Sequence, residues 1–275
     1  MAHRFHIFRQ HRVAFVALIV IVGYALIAVL APWLAPRDPY SMSGDYPLVA
    51  PGTAGYWLGS DPFGRDILSR LMYGARTSLM VGSIAAGLAL VLGTIVGVCA
   101  GYFGRHIDAV LSRFMEVLFS FPDILLALII MAILGPSTVN VMLAIGVVYT
   151  PIFARIARAS TLRVKRAAYV EAARTMGART PRILIRHILP NISGPLMVQT
   201  TLSFAFAILA EAALSFLGLG VEPDAPSWGI MLNEGKDWMQ HGWWVAVFPG
   251  LAITLAVLSF NVLGDGLRDL IEDTG

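Results

Sequence analysis

The sequence predicts an all-α protein that crosses a membrane six times, and three observations support this fold class. Of the 275 residues, 57% are hydrophobic and 13% are charged, whereas soluble domains carry about 25% charged residues. The mean hydropathy is correspondingly high, at +0.73. Six apolar segments are long enough for a transmembrane helix, which needs about 20 residues. We therefore exclude an ordinary cytosolic enzyme, and the single cysteine, Cys99, excludes a disulfide-rich scaffold.

The six predicted spans follow one another along most of the chain. They cover residues 13–35, 79–104, about 110–134, 136–154, 192–218 and 242–264. Residues 1–12 are a predicted cytoplasmic tail, and residues 13–275 form a single transmembrane domain. A cleaved signal peptide is disfavoured, because the first apolar run is longer than a typical signal sequence and lacks a polar cleavage region.

The distribution of Lys and Arg predicts the orientation, because cytoplasmic loops of membrane proteins carry an excess of both. With the N-terminus inside, fifteen of the 20 Lys and Arg residues fall on the inner side and five on the outer side. We therefore predict that both termini are cytoplasmic. The outer loops then cover residues 36–78 and 219–241, and the main inner loop covers residues 155–190.

The first outer loop contains a turn-rich part and an amphipathic part. Asp61, which precedes Pro62, is a helix-start signal, and Arg65 and Asp66 follow within the string LGSDPFGRD. The residues after Asp66 place apolar side chains on one face, as in a short helix lying in the membrane interface. The alternative is a capped turn that leads directly into the second span.

The inner loop is too basic to enter lipid, since it carries nine Lys or Arg residues and one acid, Glu171. Good helix formers predict a helix over residues 161–176, and Gly177 follows as a helix C-terminal glycine. A second short helix is predicted to begin at Thr180 and to end before Pro190. The loop is thus predicted to be two short helices that project from the membrane; a pair lying on anionic lipid is the alternative. The residues that share one face of the first helix are Leu162, Tyr169, Ala173 and Met176.

Three acids lie within or near the predicted spans, at Glu116, Asp123 and Glu211. A charge inside the membrane costs about 2.5–3.5 kcal/mol on insertion scales, so such residues usually face protein or water. Glu211 has two interpretations, a hydrogen-bonding role in packing and a role in a lumen or gate. Asp123 follows Pro122, where we expect a local break in the helix. Glycines at a four-residue spacing, suited to close helix packing, are Gly93, Gly97 and Gly101.

Motifs of catalysis and nucleotide binding are absent from the sequence. It contains no phosphate-binding Gly-x-x-x-x-Gly-Lys loop and no His-Glu-x-x-His zinc motif, and no Gly-x-Ser-x-Gly elbow. Its six histidines do not cluster at metal-ligand spacing. We therefore predict that the chain is not an enzyme, has no catalytic residues and binds no metal or cofactor itself. A transporter whose energy source is on another chain fits this pattern.

The inner loop also contains a recognisable motif. Its residues are Glu171, Ala172, Ala173, Gly177, Leu189 and Pro190. It resembles the EAA loop of binding-protein-dependent ABC importer permeases, although His187 stands where isoleucine is usual. The strings HILPN, LGSDPFGRD, EAALSFLGLG and FNVLGDGLRD resemble the second, C-type permease subunit of dipeptide, oligopeptide, glutathione and nickel importers. The resemblance covers nearly all of the chain from about residue 55, and residues 1–50 carry little of it.

This resemblance implies the type I ABC importer (MetI-like) permease fold and a multi-pass location in a bacterial or archaeal cytoplasmic membrane. It implies four kinds of partner and no nucleic acid: a homologous second permease in a heterodimer, two ATPase subunits that hold ATP and Mg²⁺, an extracytoplasmic substrate-binding protein, and lipid. The six motif residues would couple the chain to the ATPases. The substrates would be di- or oligopeptides, with glutathione or a nickel chelate as alternatives.

Residues of the translocation path are not marked by any transferable motif. The candidates for path or gating roles are Glu211, Asp123, Asp61, Arg65 and Asp66. A secondary transporter that acts alone is a weaker alternative, because it should show inverted repeats, and we detect none.

Overall fold

The computed structural model describes residues 12–272, so the predicted tail 1–12 lies, apart from its last residue, outside the described residues. Within that range the chain forms helices and no strand, apart from two isolated bridges, which confirms the all-α class. The α-helices are α1 Arg12–Leu34, α2 Ile67–Phe103, α3 Arg105–Phe119, α4 Asp123–Leu134, α5 Thr138–Val164, α6 Ala168–Thr175, α7 Thr180–Ile183, α8 Leu189–Phe216, α9 Trp228–Gly235 and α10 Trp244–Glu272.

Five of the six predicted spans are continuous helices. The helical segments long and apolar enough to cross a membrane are Val13–Leu34, Ile67–Phe103, Thr138–Val164, Thr180–Phe216 and Trp244–Leu270. The third predicted span is broken at the expected position, because α3 and α4 meet there at an angle of 90°. Pro122 lies at this break; proline has no N–H to donate, and its ring disfavours helical geometry at Phe121.

The second span begins earlier than the sequence predicts. Asp66 caps α2: the Ser69 amide donates to its Oδ2 at 2.8 Å, and the Ser69 hydroxyl donates to the same oxygen at 2.7 Å. The amphipathic residues after Asp66 are therefore the first turns of a 37-residue helix, and a separate interfacial helix is wrong. Asp61 does not start a helix either, because its Oδ1 accepts from the amides of Phe63 and Arg65 within a turn.

Pro190 does not end the second helix of the inner loop, contrary to the prediction. A π-helical turn at Leu184–Ile188 joins α7 to α8, and the Leu189 amide donates to the Leu184 carbonyl five residues back. In a regular α-helix the amide of residue 190 would donate to the carbonyl four residues back, which proline cannot do because it has no N–H. The wider π-helical turn does not use that hydrogen bond, so it accommodates Pro190. Consequently residues 180–216 form one continuous helical segment that includes the fifth span.

The helices α2 and α5 pack backbone to backbone along the predicted glycine stripe. A Cβ atom built on Gly97 would lie 2.3 Å from the Ala154 carbonyl oxygen, and one on Gly93 would lie 2.4 Å from the Cβ of Phe153. Only glycine permits this approach, as in other membrane helix pairs. The fourth predicted span also continues beyond residue 154 to Val164, so α5 carries this packing as far as the inner loop.

The second predicted outer loop is folded rather than merely solvated. It contains α9 and a 3₁₀ turn at Lys236–Trp238. Trp228 at the start of α9 is buried, and its indole Nε1 donates to the Leu71 carbonyl on α2 at 3.1 Å. The loop is thus anchored to the spans.

Candidate coupling loop and buried polar groups

The inner loop folds around a glycine turn at the end of α6. Gly177 has a φ of +81°, which favours glycine because other residues are strained there. The Gly177 amide donates to the Arg174 carbonyl and the Ala178 amide to the Ala173 carbonyl, both at 3.0 Å. These two bonds form a Schellman motif, which satisfies the last carbonyls of the helix. The sequence prediction for Gly177 agrees with this geometry.

One side of α6 packs into the protein and the other is exposed. Val170 and Ala173 are buried, and Val170 belongs to an apolar cluster with residues of α7 and the π-helical turn. Of the residues predicted to share one face, Ala173 is buried, whereas Tyr169 is exposed and Met176 is 81% exposed. The helix is shorter than predicted, and its buried residues are Val170 and Ala173.

The exposed side of α6 carries Glu171 and Ala172 together with Met176. Within residues 13–270, the carboxylate of Glu171 has no hydrogen bond or ion pair in the structure. Leu189 and Pro190 are exposed at the start of α8. The ring centroids of Tyr169 and His187 lie 6.3 Å apart, which brings α6 beside the π-helical turn. The motif residues thus lie on one small folded unit, while their role in coupling stays a prediction.

The first outer loop contains a buried ion network. Arg65 Nε donates to Asp61 Oδ2 at 2.5 Å, and Arg65 Nη2 donates to Glu234 Oε2 at 2.7 Å. Arg70 Nη2 donates to the same Glu234 oxygen at 3.1 Å, and its Nε lies 3.9 Å from Asp61 Oδ2. Burial by itself lowers the pKa of Arg65. The nearby carboxylates of Asp61 and Glu234 outweigh this effect, so the pKa of Arg65 is raised overall. The Arg65 guanidinium is therefore held charged inside the protein.

This network connects the first outer loop to α9, across more than 160 residues of sequence. The Trp244 indole adds a link from α10 by donating to the Ser60 carbonyl at 3.0 Å. Three of the predicted path or gating residues, Asp61, Arg65 and Asp66, are thus enclosed and bonded. Their geometry favours a role in holding the loop, and a gating role stays a prediction.

Glu211 is fully buried between α8 and α2. The hydroxyl of Ser78 donates to its Oε2 and that of Ser215 to its Oε1, both at 2.9 Å. Because both carboxylate oxygens have a donor and no solvent reaches them, the packing interpretation is favoured over a lumen position. Ser78 could not be singled out from the sequence, since it lies 133 residues from its partner.

Asp123 and Glu116 lie on different parts of the broken helix. Asp123 is the exposed first residue of α4, at a small cleft that Tyr149 of α5 and Ala210 of α8 also line. Glu116 accepts from Arg113 at 3.1 Å, as their spacing on α3 predicts, and both side chains are largely exposed. A seven-residue spacing would place Glu116 and Asp123 on one face of a continuous helix, but the 90° break between α3 and α4 separates them.

Four residues that form ion pairs in the described part of the chain were not predicted from the sequence. They are Arg70, Glu234, Asp108 and Arg158. One signal was available for Arg70, because it lies in the first turns of a helix whose neighbouring side chains are apolar. The others needed the fold. In the part of the chain described here, no group of three His, Cys, Asp or Glu side chains is arranged to hold a metal ion.

Two family models match the chain. The model of the "binding-protein-dependent transport system inner membrane component" matches residues 93–274. The model of the "N-terminal TM domain of oligopeptide transport permease C" matches residues 2–51. The expectation that residues 1–50 carry little family signal is therefore wrong.

Curated relatives match over almost the whole chain. The dipeptide transport system permease protein DppC of Alkalihalophilus pseudofirmus is 44% identical over 96% of this chain and 86% of its own length. The di/tripeptide permease DppC of Pseudomonas aeruginosa is 42% identical, over 96% and 89%. The glutathione permease GsiD of Pectobacterium atrosepticum is 43% identical, over 96% and 87%.

A solved structure shares the fold. It is the inward-facing MetNI methionine ABC transporter, with a TM-score of 0.59 and 19% identity, covering 73% of this chain and 96% of the other. The chain has several membrane-spanning helices and a folded basic inner loop. Together with these matches, this defines a permease subunit of an ABC importer in the inner membrane. The chain belongs to the family of binding-protein-dependent transport system inner membrane components. This family implies ATPase subunits and a substrate-binding protein as partners.

Proposed function

We propose that the chain is one of two different permease subunits in an importer of di- or oligopeptides. The support is the naming of its relatives, which include dipeptide and di/tripeptide permeases of 42–44% identity. A glutathione permease is equally similar, so glutathione, itself a tripeptide, is the second candidate. A nickel chelate remains the third candidate on the sequence motifs alone.

The exposed side of α6 is the single observation that carries the coupling role. It combines Glu171, which has no ion pair among the described residues, with a small neighbour, Ala172, and with Met176, whose apolar side chain is exposed to solvent. A small-residue surface permits close approach of a partner, and one acid among basic residues can form a specific ion pair with it. This surface docks on a cytoplasmic ATPase subunit. ATP and Mg²⁺ are bound there, and the chain itself hydrolyses no ATP.

This role places both termini and the inner loop in the cytoplasm. The excess of Lys and Arg on that side supports the orientation. The exposed charges of Arg113 and Glu116 on α3 favour a protein or water environment for that helix over lipid. A second permease subunit that encloses a water-lined path with α3 would provide it.

The substrate is tested with proteoliposomes that contain the complete complex and its own binding protein. ATP-dependent uptake is measured for a labelled dipeptide, labelled glutathione and ⁶³Ni²⁺ with a chelator. We expect saturable dipeptide uptake that stops without ATP. Uptake of glutathione or nickel alone would replace the peptide assignment, and no ATP-dependent uptake of any of the three would contradict the importer function.

The coupling role is tested with Glu171→Lys. Removing one partner of a buried charge pair costs about 2–5 kcal/mol, so co-purification of the ATPase should fall by at least about tenfold. Glu116→Lys is the matched control, because it makes the same charge change at an exposed acid outside the loop. If the loop only lies on anionic lipid, Glu171→Lys will strengthen membrane association and leave uptake and ATPase retention normal, which would overturn the docking role.

A further inference from the structure

A bidentate ion pair fastens the second half of α5 to the start of α3. Arg158 donates from Nε to Asp108 Oδ1 at 2.5 Å and from Nη2 to Oδ2 at 2.7 Å. The Ser112 hydroxyl donates to the same carboxylate at 3.0 Å. Two parallel bonds between planar groups define the orientation of the pair, which a single contact does not. We call this pair the Asp108–Arg158 clamp.

The helix that carries Arg158 is itself packed tightly against α2. A Cβ on Gly101 would lie 2.9 Å from the Arg158 carbonyl oxygen, so the two backbones are in contact beside the clamp. Lys165, just beyond the end of α5, donates to the Gly101 carbonyl at 2.5 Å. Helices packed at this distance have no room to slide past each other, so α2 and α5 should move as one unit.

In contrast, α3 has no buried residue of its own. Arg155 places its guanidinium 4.0 Å from the ring centroid of Phe119, the last residue of α3. Arg155 and Arg158 are three residues apart on α5, so one short stretch of α5 contacts α3 near its first turn and at its end. Beyond Phe119 the chain turns by 90° into α4.

We propose that the Asp108–Arg158 clamp makes α3 follow α5, so that a displacement of α6 reaches the break between α3 and α4. The basis is continuity, because α6 follows α5 after a break of only residues 165–167. Asp108 and Arg158 are positioning residues, since neither is placed at substrate or nucleotide. The inference rests on the proposed coupling role of α6.

Loss of the clamp should change coupling more than assembly. The side chains of Arg158 and Asp108 are 39% and 19% exposed, and ion pairs with that access to water contribute little to stability. Asp108→Asn should therefore insert and assemble. Substitutions on a coupling route typically change the coupling roughly 2- to 30-fold. We expect the amount of substrate imported per ATP hydrolysed to fall within the same range.

The experiment uses the complete reconstituted complex with a transported peptide. Uptake and ATP hydrolysis are measured together for Asp108→Asn and for Arg158→Lys, which keeps the charge but loses the two-pronged contact. His106→Gln is the control, because it changes an exposed polar side chain on the same helix that is not part of the clamp. ATPase co-purification is measured in parallel, and it should be normal in all three variants.

The outcomes separate this inference from the docking role. The clamp is supported if Asp108→Asn and Arg158→Lys import less substrate per ATP hydrolysed, while ATPase retention stays normal and the control is unchanged. An unchanged ratio in both variants overturns it, and an equal fall in the control overturns it as well. Should Asp108→Asn fail to assemble, the exchanged pair Asp108→Arg with Arg158→Asp decides: a restored ratio supports the clamp and an unrestored ratio refutes it. Failure of docking itself is detected only by Glu171→Lys.

Discussion

Asp61 offers a direct choice between a structural role and a gating role. We predict that Asp61→Asn destabilises the folded chain and lowers uptake only in proportion to the loss of folded protein. The substitution keeps the shape of the side chain and an oxygen that can accept from the amides of Phe63 and Arg65. It removes the negative charge beside Arg65 and Arg70, whose side chains are 4% and 1% exposed.

The magnitude follows from burial. Removing one partner of a buried ion pair costs about 3–5 kcal/mol, because the remaining charge is left without compensation. Glu234 still faces both arginines and is itself 21% exposed, so we expect the lower end, about 3 kcal/mol. For a domain of this size that corresponds to a fall in melting temperature of roughly 6–12 °C.

Thermal unfolding of the assembled complex, followed by fluorescence of its tryptophans or by loss of solubility, measures this shift. Glu116→Gln serves as the control, because its pair with Arg113 has side chains 59% and 82% exposed. Exposed pairs contribute about 0–1 kcal/mol, so this variant should unfold at nearly the temperature of the unmodified complex.

Two results would refute the reasoning. If Asp61→Asn unfolds at the normal temperature but loses uptake, Asp61 acts in gating and the structural role is wrong. If neither stability nor uptake changes, the ion network does not hold the outer loop to α9.

Three further predictions concern glycines and the buried acid. Gly177→Ala should destabilise the inner loop by about 1–2 kcal/mol, because the backbone φ of Gly177 is positive, although a Cβ there would meet no neighbouring atom. Gly87, within α2, also has open space for a Cβ. Gly87→Ala should therefore stabilise the protein by about 0.5–1 kcal/mol. Gly97→Ala should cost about 1–3 kcal/mol through overpacking against α5, and a melting temperature equal to that of Gly87→Ala would contradict the close contact. Glu211→Gln should leave uptake and stability nearly unchanged, since an amide can pair with both serines, whereas Glu211→Leu should cost about 1–3 kcal/mol for each hydroxyl left unpaired. Loss of uptake in a stably folded Glu211→Gln would instead support the gating role.

Much of the fold could be predicted because its signals are local in sequence. Whether a segment is apolar and long enough to span a membrane depends only on its own residues, and five spans follow from that. Gly177 is of the same kind, since a helix C-terminal glycine is recognised from the helix just before it. The EAA-type motif marked the inner loop in the same way, and the structure folds that loop into a compact unit.

The extent and orientation of helices were less accessible to the sequence alone. The break between α3 and α4 was suggested by Pro122, but its 90° angle was not. The continuity of α2 from Ile67 was left open, because a cap and an interfacial helix have the same local pattern. Likewise, Pro190 predicts a helix end, and the π-helical turn that admits it depends on how the inner loop packs.

The pairing of charges was decided by tertiary structure. Glu234 meets Arg65 across 169 residues and Arg158 meets Asp108 across 50, and no periodicity along the chain connects such positions. The same is true of the Ser78 hydroxyl that donates to Glu211. Hydropathy determines that Glu211, which lies within a predicted span, must face protein or water, because charge in lipid is costly. Which partner each of these charged residues finds depends on which helices lie side by side, and this is a property of the packed structure.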